Sequence, residues 1–83
     1  MKFQAAALLP LVMKLGDYLK VGFEHYVSLK ASGTDMSPDM LAAFITMQMS
    51  SWNPDFQGKK LLDDETRHAA ARFLAGVAMN LAK

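Results

Sequence analysis

Apolar residues recur along most of the chain at spacings of three and four, the period of a packed helix face. The first such stretch predicts a helix from about 4 to 31. Its inner stripe reads Leu8, Val12, Leu15, Leu19, Gly22, Phe23 and Tyr26, with Lys14, Asp17, Glu24, His25 and Ser28 on the outer side. Pro10 lies inside this stretch. It lacks a backbone donor and its ring crowds the Ala6 carbonyl, so a kink or break is expected near it. Lys30 followed by Ala31, Ser32 and Gly33 predicts a left-handed C-terminal cap.

Ser37-Pro38-Asp39 announces a second helix, predicted over 38–52. Ser37 can cap, Pro38 suits the first helical position, and Asp39 complements the helix dipole. Leu41, Phe44, Ile45, Gln48 and Trp52 line one side, Met40 and Met47 another, and Asn53-Pro54 is expected to end the helix. The connection that follows, 53–62, is long for a helical bundle, and Asp55-Phe56-Gln57-Gly58 fits a type I turn. Phe56, Leu61 and Leu62 are expected to tuck inward.

The acidic cluster Asp63-Asp64-Glu65 opens a third helix, predicted over 64–82. It carries two stripes. The bulky one is Ala70, Phe73, Leu74, Val77 and Leu81, and it is expected to face the core. Beside it runs a row of small residues, Ala71, Ala75, Ala78 and Ala82. Trp52 and Phe73 are the expected core anchors.

Composition agrees with the periodicity. Twelve Ala, eleven Leu and seven Met outweigh four Val, one Ile and three Thr, and no alternating run makes a convincing strand. The fold class is therefore all-α, a small three-helix bundle whose first helix is long, in a single domain over 1–83. Such a length holds one core. Lys14, Asp17, Lys20 and Glu24 interrupt every long apolar window, so no membrane span is expected, and the N-terminal run lacks the small-residue cleavage site of a secretory signal. The expected location is intracellular, cytoplasmic or within a viral particle.

Charge and candidate chemistry narrow the function mainly by exclusion. A net charge of +1 supplies no strong field for nucleic acid, and Lys59-Lys60 with Arg67 and Arg72 reads as solubilising charge. A helix-turn-helix would need a far shorter turn than the connection before the third helix. With no cysteine, thiolate metal sites, disulfides and cysteine nucleophiles are excluded. Glu65-x-x-His68 matches one element of a di-iron bundle site, but the chain has only two glutamates and one such element. The serines form no nucleophile elbow and the glycines no phosphate-cradling loop. No catalytic, cofactor-binding or metal-ligating residue is assigned.

What remains is a surplus of apolar helix surface. Each helix of a three-helix bundle buries roughly one face, and here each offers more. The surplus predicts a non-catalytic structural subunit of a homo-oligomeric or multi-protein assembly, and the physical profile fits accessory components of viral particles, tailed-phage virions included. Met40, Met47, Trp52, Phe56, Ala71, Ala75 and Ala78 form the candidate interaction surface. The alternative is a small regulatory binder or inhibitor that presents a helix face or the 53–62 loop to one target.

Overall fold

The computed structural model describes residues 5–56, 58–60 and 62–83, with the side chains of 5–8, 55, 56 and 59 excepted. Three helices, α1 (Ala5–Ala31), α2 (Pro38–Gln48) and α3 (Asp64–Leu81), pack on one another. Between α2 and α3, β1 (Asp55–Phe56) pairs antiparallel with β2 (Lys59–Lys60) in a minimal hairpin. The molecule is an all-α bundle with a long first helix.

α1 is one element of 27 residues with Pro10 inside it, undivided. Its C-terminal stop is a complete Schellman cap. Gly33 sits at φ +92°, its N–H reaches the Lys30 carbonyl at 3.1 Å, and the Thr34 N–H reaches the Leu29 carbonyl at 2.8 Å. Ser37 caps α2, its hydroxyl accepting from the Met40 N–H at 3.2 Å with Pro38 in the first turn. Asp63 caps α3 in the same way through the Thr66 N–H at 2.7 Å.

α2 ends four residues earlier than the sequence predicts. Met49 is the C-cap, and its N–H is shared between the Ile45 and Thr46 carbonyls. Trp52 then donates its N–H to the Met49 carbonyl, so 49–52 tighten into a turn well before Asn53-Pro54 could act. The hairpin likewise shifts the predicted turn by one residue. Phe56 pairs with Lys59, and Gly58 takes φ +79° just before Lys59.

The core consists of Tyr26 from α1, Met36 before α2, Leu41, Ala42, Ile45 and Met49 from the α2 segment, and Ala71, Leu74, Ala75 and Ala78 from α3. Leu15, Tyr18, Leu19, Phe23, Leu29, Phe44 and Trp52 pack around it, half-buried. Trp52 thus borders the core and is not its centre; its ring lies 5.5 Å from that of Tyr18.

Two expectations about facing are reversed. Phe73, read as a core anchor, is 71% exposed, and Leu81 from the same bulky stripe is 60% exposed. The small residues of α3 point inward instead. They let α3 lie close against Leu41, Ile45 and Met49, which fill the centre with bulk from the other side. Val12 is also exposed, since α1 outruns the bundle: 27 residues span about 40 Å, against about 27 Å for the 18 of α3. From Leu15 onward α1 packs inward, and Gly22 meets Ile45 closely enough that a Cβ would lie 2.7 Å from Ile45 Cδ1. Of the residues expected to tuck inward near the hairpin, Leu62 is half-buried, while the Phe56 side chain and Leu61 lie outside the described residues, as does the side chain of Leu8 from the expected inner stripe of the first helix.

Candidate interaction surface

The residues expected to form a contact surface separate into two groups. Ala71, Ala75 and Ala78 are buried inside the chain, so they serve the internal packing of α3 and are not on the surface. Met40 and Met47, one turn-pair apart on α2, are exposed, at 53% and 64%. They lie on the side of α2 opposite Leu41, Ile45 and Met49, with Ala43 between them also exposed. Trp52 is half-buried against Tyr18, and the Phe56 side chain lies outside the described residues.

Two further apolar surfaces emerge from the fold. Leu9, Val12 and Met13 cluster at i, i+3 and i+4 on the part of α1 that extends past the other helices. On α3, Phe73 stands at the middle of the side facing away from the bundle. Winding α3 at 3.6 residues per turn places Thr66, Ala69, Ala70, Phe73, Gly76, Val77, Asn80 and Leu81 in one arc of about 140°. None of the charged residues of α3 falls in that arc. Asp64, Glu65, Arg67, His68 and Arg72 all lie outside it, on the core side or the flank nearer α2.

The surplus can be given a size. A compact monomer of 9.2 kDa exposes roughly 4,900 Å², whereas this chain exposes 5924 Å², about 1,000 Å² more. Its radius of gyration is 14.1 Å against about 12 Å for a compact chain of 83 residues. Both differences reflect a bundle drawn out along α1, with extents of 49 × 22 × 17 Å.

Polar groups fix the bundle's end. Arg67, grouped by the sequence with the solvated residues of the third helix, is buried at 7% exposure. Its Nη2 donates to the Trp52 carbonyl at 3.2 Å and to Asn53 Oδ1 at 3.0 Å, tying the start of α3 to the turn after α2. Nη1 donates to Asp64 Oδ1 at 2.9 Å, while Nε is buried without a partner. Asp64 itself is fully exposed, so that ion pair is a weak contributor beside the two neutral acceptors. The signal for Arg67 was its position: it shares a face with Ala71, Leu74 and Ala78, four, seven and eleven residues further along α3.

The histidines are engaged in packing. The His25 ring stacks on Phe44, centroids 3.7 Å apart and planes 5° from parallel, so it is half-buried and not on the outer face as expected. His68 Nδ1 lies 3.5 Å from Thr46 Oγ1, a link between α3 and α2. Among the described residues, no three His, Cys, Asp or Glu side chains come together as a metal site, and Glu65 and His68 gain no third ligand. Among the described residues the one shifted carboxylate is that of Asp63. Hydrogen bonds from Thr66, side chain first and then backbone, favour its ionised form and hold it below its usual range. That is cap chemistry. Among the described residues no helix is long and apolar enough to cross a membrane.

No family model matches the chain, and comparison with characterised proteins and with solved structures returns no match.

Proposed function

We propose that this chain is a non-catalytic subunit of a protein assembly, which works by packing its outward apolar helix faces against other protein chains. The observation that carries this reading is the set of large apolar side chains left exposed, Leu9, Val12, Met13, Met40, Met47, Phe73 and Leu81, on a chain whose surface exceeds that of a compact monomer by about 1,000 Å². A specific interface removes about 800 Å² per partner, so the surplus is of the size that one such contact consumes. Scattered apolar residues are ordinary on a protein surface; a helix side without a charge along its length is not. A viral particle, tailed-phage virions included, is one setting that suits a short, near-neutral, cysteine-free helical subunit, and that attribution rests on physical profile alone.

Sedimentation velocity of the full chain from low to high micromolar concentration tests the reading. Concentration-dependent species heavier than 9.2 kDa are expected. A single species of monomer mass across the range contradicts self-assembly and favours a monomer that binds one target through a helix face.

A further inference from the structure

The outward side of α3 carries a projection and a hollow next to each other. Phe73 stands 71% exposed. Gly76, three residues on and therefore beside it on the helix surface, leaves open space, since a Cβ there would meet nothing within 4 Å. Ala69 bounds Phe73 on the preceding turn, again with a small side chain. Thr66 and Asn80 are the polar residues of this face, and Asn80 donates its Nδ2 to the Gly76 carbonyl at 3.0 Å, so one of its amide N–H groups is already satisfied within the helix.

A face that bears both knob and hole is complementary to itself. We propose that its partner is a second copy of this chain, with the two α3 helices running antiparallel about a two-fold axis and Phe73 of each seated over Gly76 of the other. The proposal rests on the reading of the chain as an assembly subunit and names the partner of one of its faces. A foreign chain would have to supply its own matching knob and hole, whereas a two-fold contact uses the ones present.

Charge agrees with that arrangement. Glu65 and Lys83 fall on the same edge of the uncharged arc, Lys83 just past the helix end. In a two-fold antiparallel pair, like edges meet with their direction reversed. The register that places Phe73 opposite Gly76 therefore brings Glu65 beside Lys83 of the second copy, twice over, and sets the positive end of each helix dipole against the negative end of the other. Arg72 of each copy also lies on this edge, offset by five positions, about 7.5 Å along the axis, where both side chains can turn to solvent.

Sedimentation equilibrium of the full chain tests the proposal, with wild type compared to Phe73→Glu, Gly76→Leu and Met13→Glu, and helicity of each checked by circular dichroism. Phe73→Glu alters an exposed residue, and Gly76→Leu raises helix propensity, so both are expected to keep the monomer fold. The wild type should dimerise. Phe73→Glu and Gly76→Leu should each raise the dissociation constant about 30-fold or more, while Met13→Glu, on the α1 overhang, should change it less than about threefold. If the chain self-associates but only Met13→Glu dissociates it, the α3 contact is overturned while the assembly reading stands. A wild type that stays monomeric overturns the α3 contact and self-assembly with it.

Discussion

Replacing Gly22 with alanine should destabilise this protein, although Gly→Ala inside a helix ordinarily stabilises by about 1 kcal/mol. Gly22 lies in the middle of α1 where α2 crosses it, and a Cβ there would stand 2.7 Å from Ile45 Cδ1 and 2.9 Å from Ile45 Cγ1. Ile45 is fully buried, so its side chain cannot swing aside without disturbing Leu41 and Met49. Overpacking of this kind costs about 1–3 kcal/mol. Against the helix-propensity gain, a net loss of about 1 kcal/mol follows. The sign should reverse when the obstacle is removed. Ile45→Ala alone should cost about 2–5 kcal/mol, but it deletes both atoms that meet the new methyl. Adding Gly22→Ala in that background should then stabilise by about 1 kcal/mol, with the methyl partly filling the cavity. Guanidinium unfolding of the four proteins, followed by circular dichroism at one fixed protomer concentration, supplies the double-mutant cycle. If Gly22→Ala has the same sign in both backgrounds, the close approach of α1 and α2 described here is wrong.

Three further outcomes follow from the same geometry. Leu74→Ala should cost about 2–5 kcal/mol, whereas Phe73→Ala should cost less than about 0.5 kcal/mol in the monomer; thermal unfolding in dilute protein decides which side of α3 faces inward, and the reverse ranking would return Phe73 to the core. Arg67→Ala should cost about 2–4 kcal/mol because it strips the Trp52 carbonyl and Asn53 Oδ1 of their donor, while Asp64→Asn should stay within about 0.5 kcal/mol; equal losses in urea unfolding would instead make the ion pair the important contact. The depressed pKa of Asp63 means that its contribution is complete above the ordinary carboxylate range and is lost as pH falls through the lower, folded-state value. Acid titration of helicity should therefore flatten in Asp63→Asn, which keeps an acceptor for the Thr66 N–H but cannot titrate, and an unchanged acid profile would remove Asp63 from the account.

Helix ends were readable from local chemistry because capping involves residues three or four apart. Ser37-Pro38, Asp63 and Ser32-Gly33 each do in the fold what their sequence context implies. The end of α2 was not readable from Asn53-Pro54, since the Met49 N–H is drawn toward two carbonyls and the chain tightens before the proline acts. Facing was the harder question. Two apolar stripes on α3 have the same period, and periodicity alone does not rank them. The choice depends on what the neighbours supply: Leu41, Ile45 and Met49 bring the bulk, so the alanine row fits against them and Phe73 is left outside. Arg67 reinforces that choice, since turning the other side of α3 inward would strand its guanidinium away from the Trp52 and Asn53 acceptors. The sequence did carry one pointer to the exposed side, the absence of charge across the Phe73 arc. It becomes informative only once that arc is known to face away from the bundle. For the candidate surface, Met40 and Met47 are where the helical spacing placed them, whereas the alanines belong to the interior.

Small-angle X-ray scattering of the full chain over a concentration series tests the central claim most directly, because forward scattering reports mass and the low-angle slope reports size from the same sample. The account predicts a mass rising above 9.2 kDa toward twice that value, with a radius of gyration well above 14.1 Å. A mass fixed at 9.2 kDa and a radius near 14.1 Å at every concentration would contradict it.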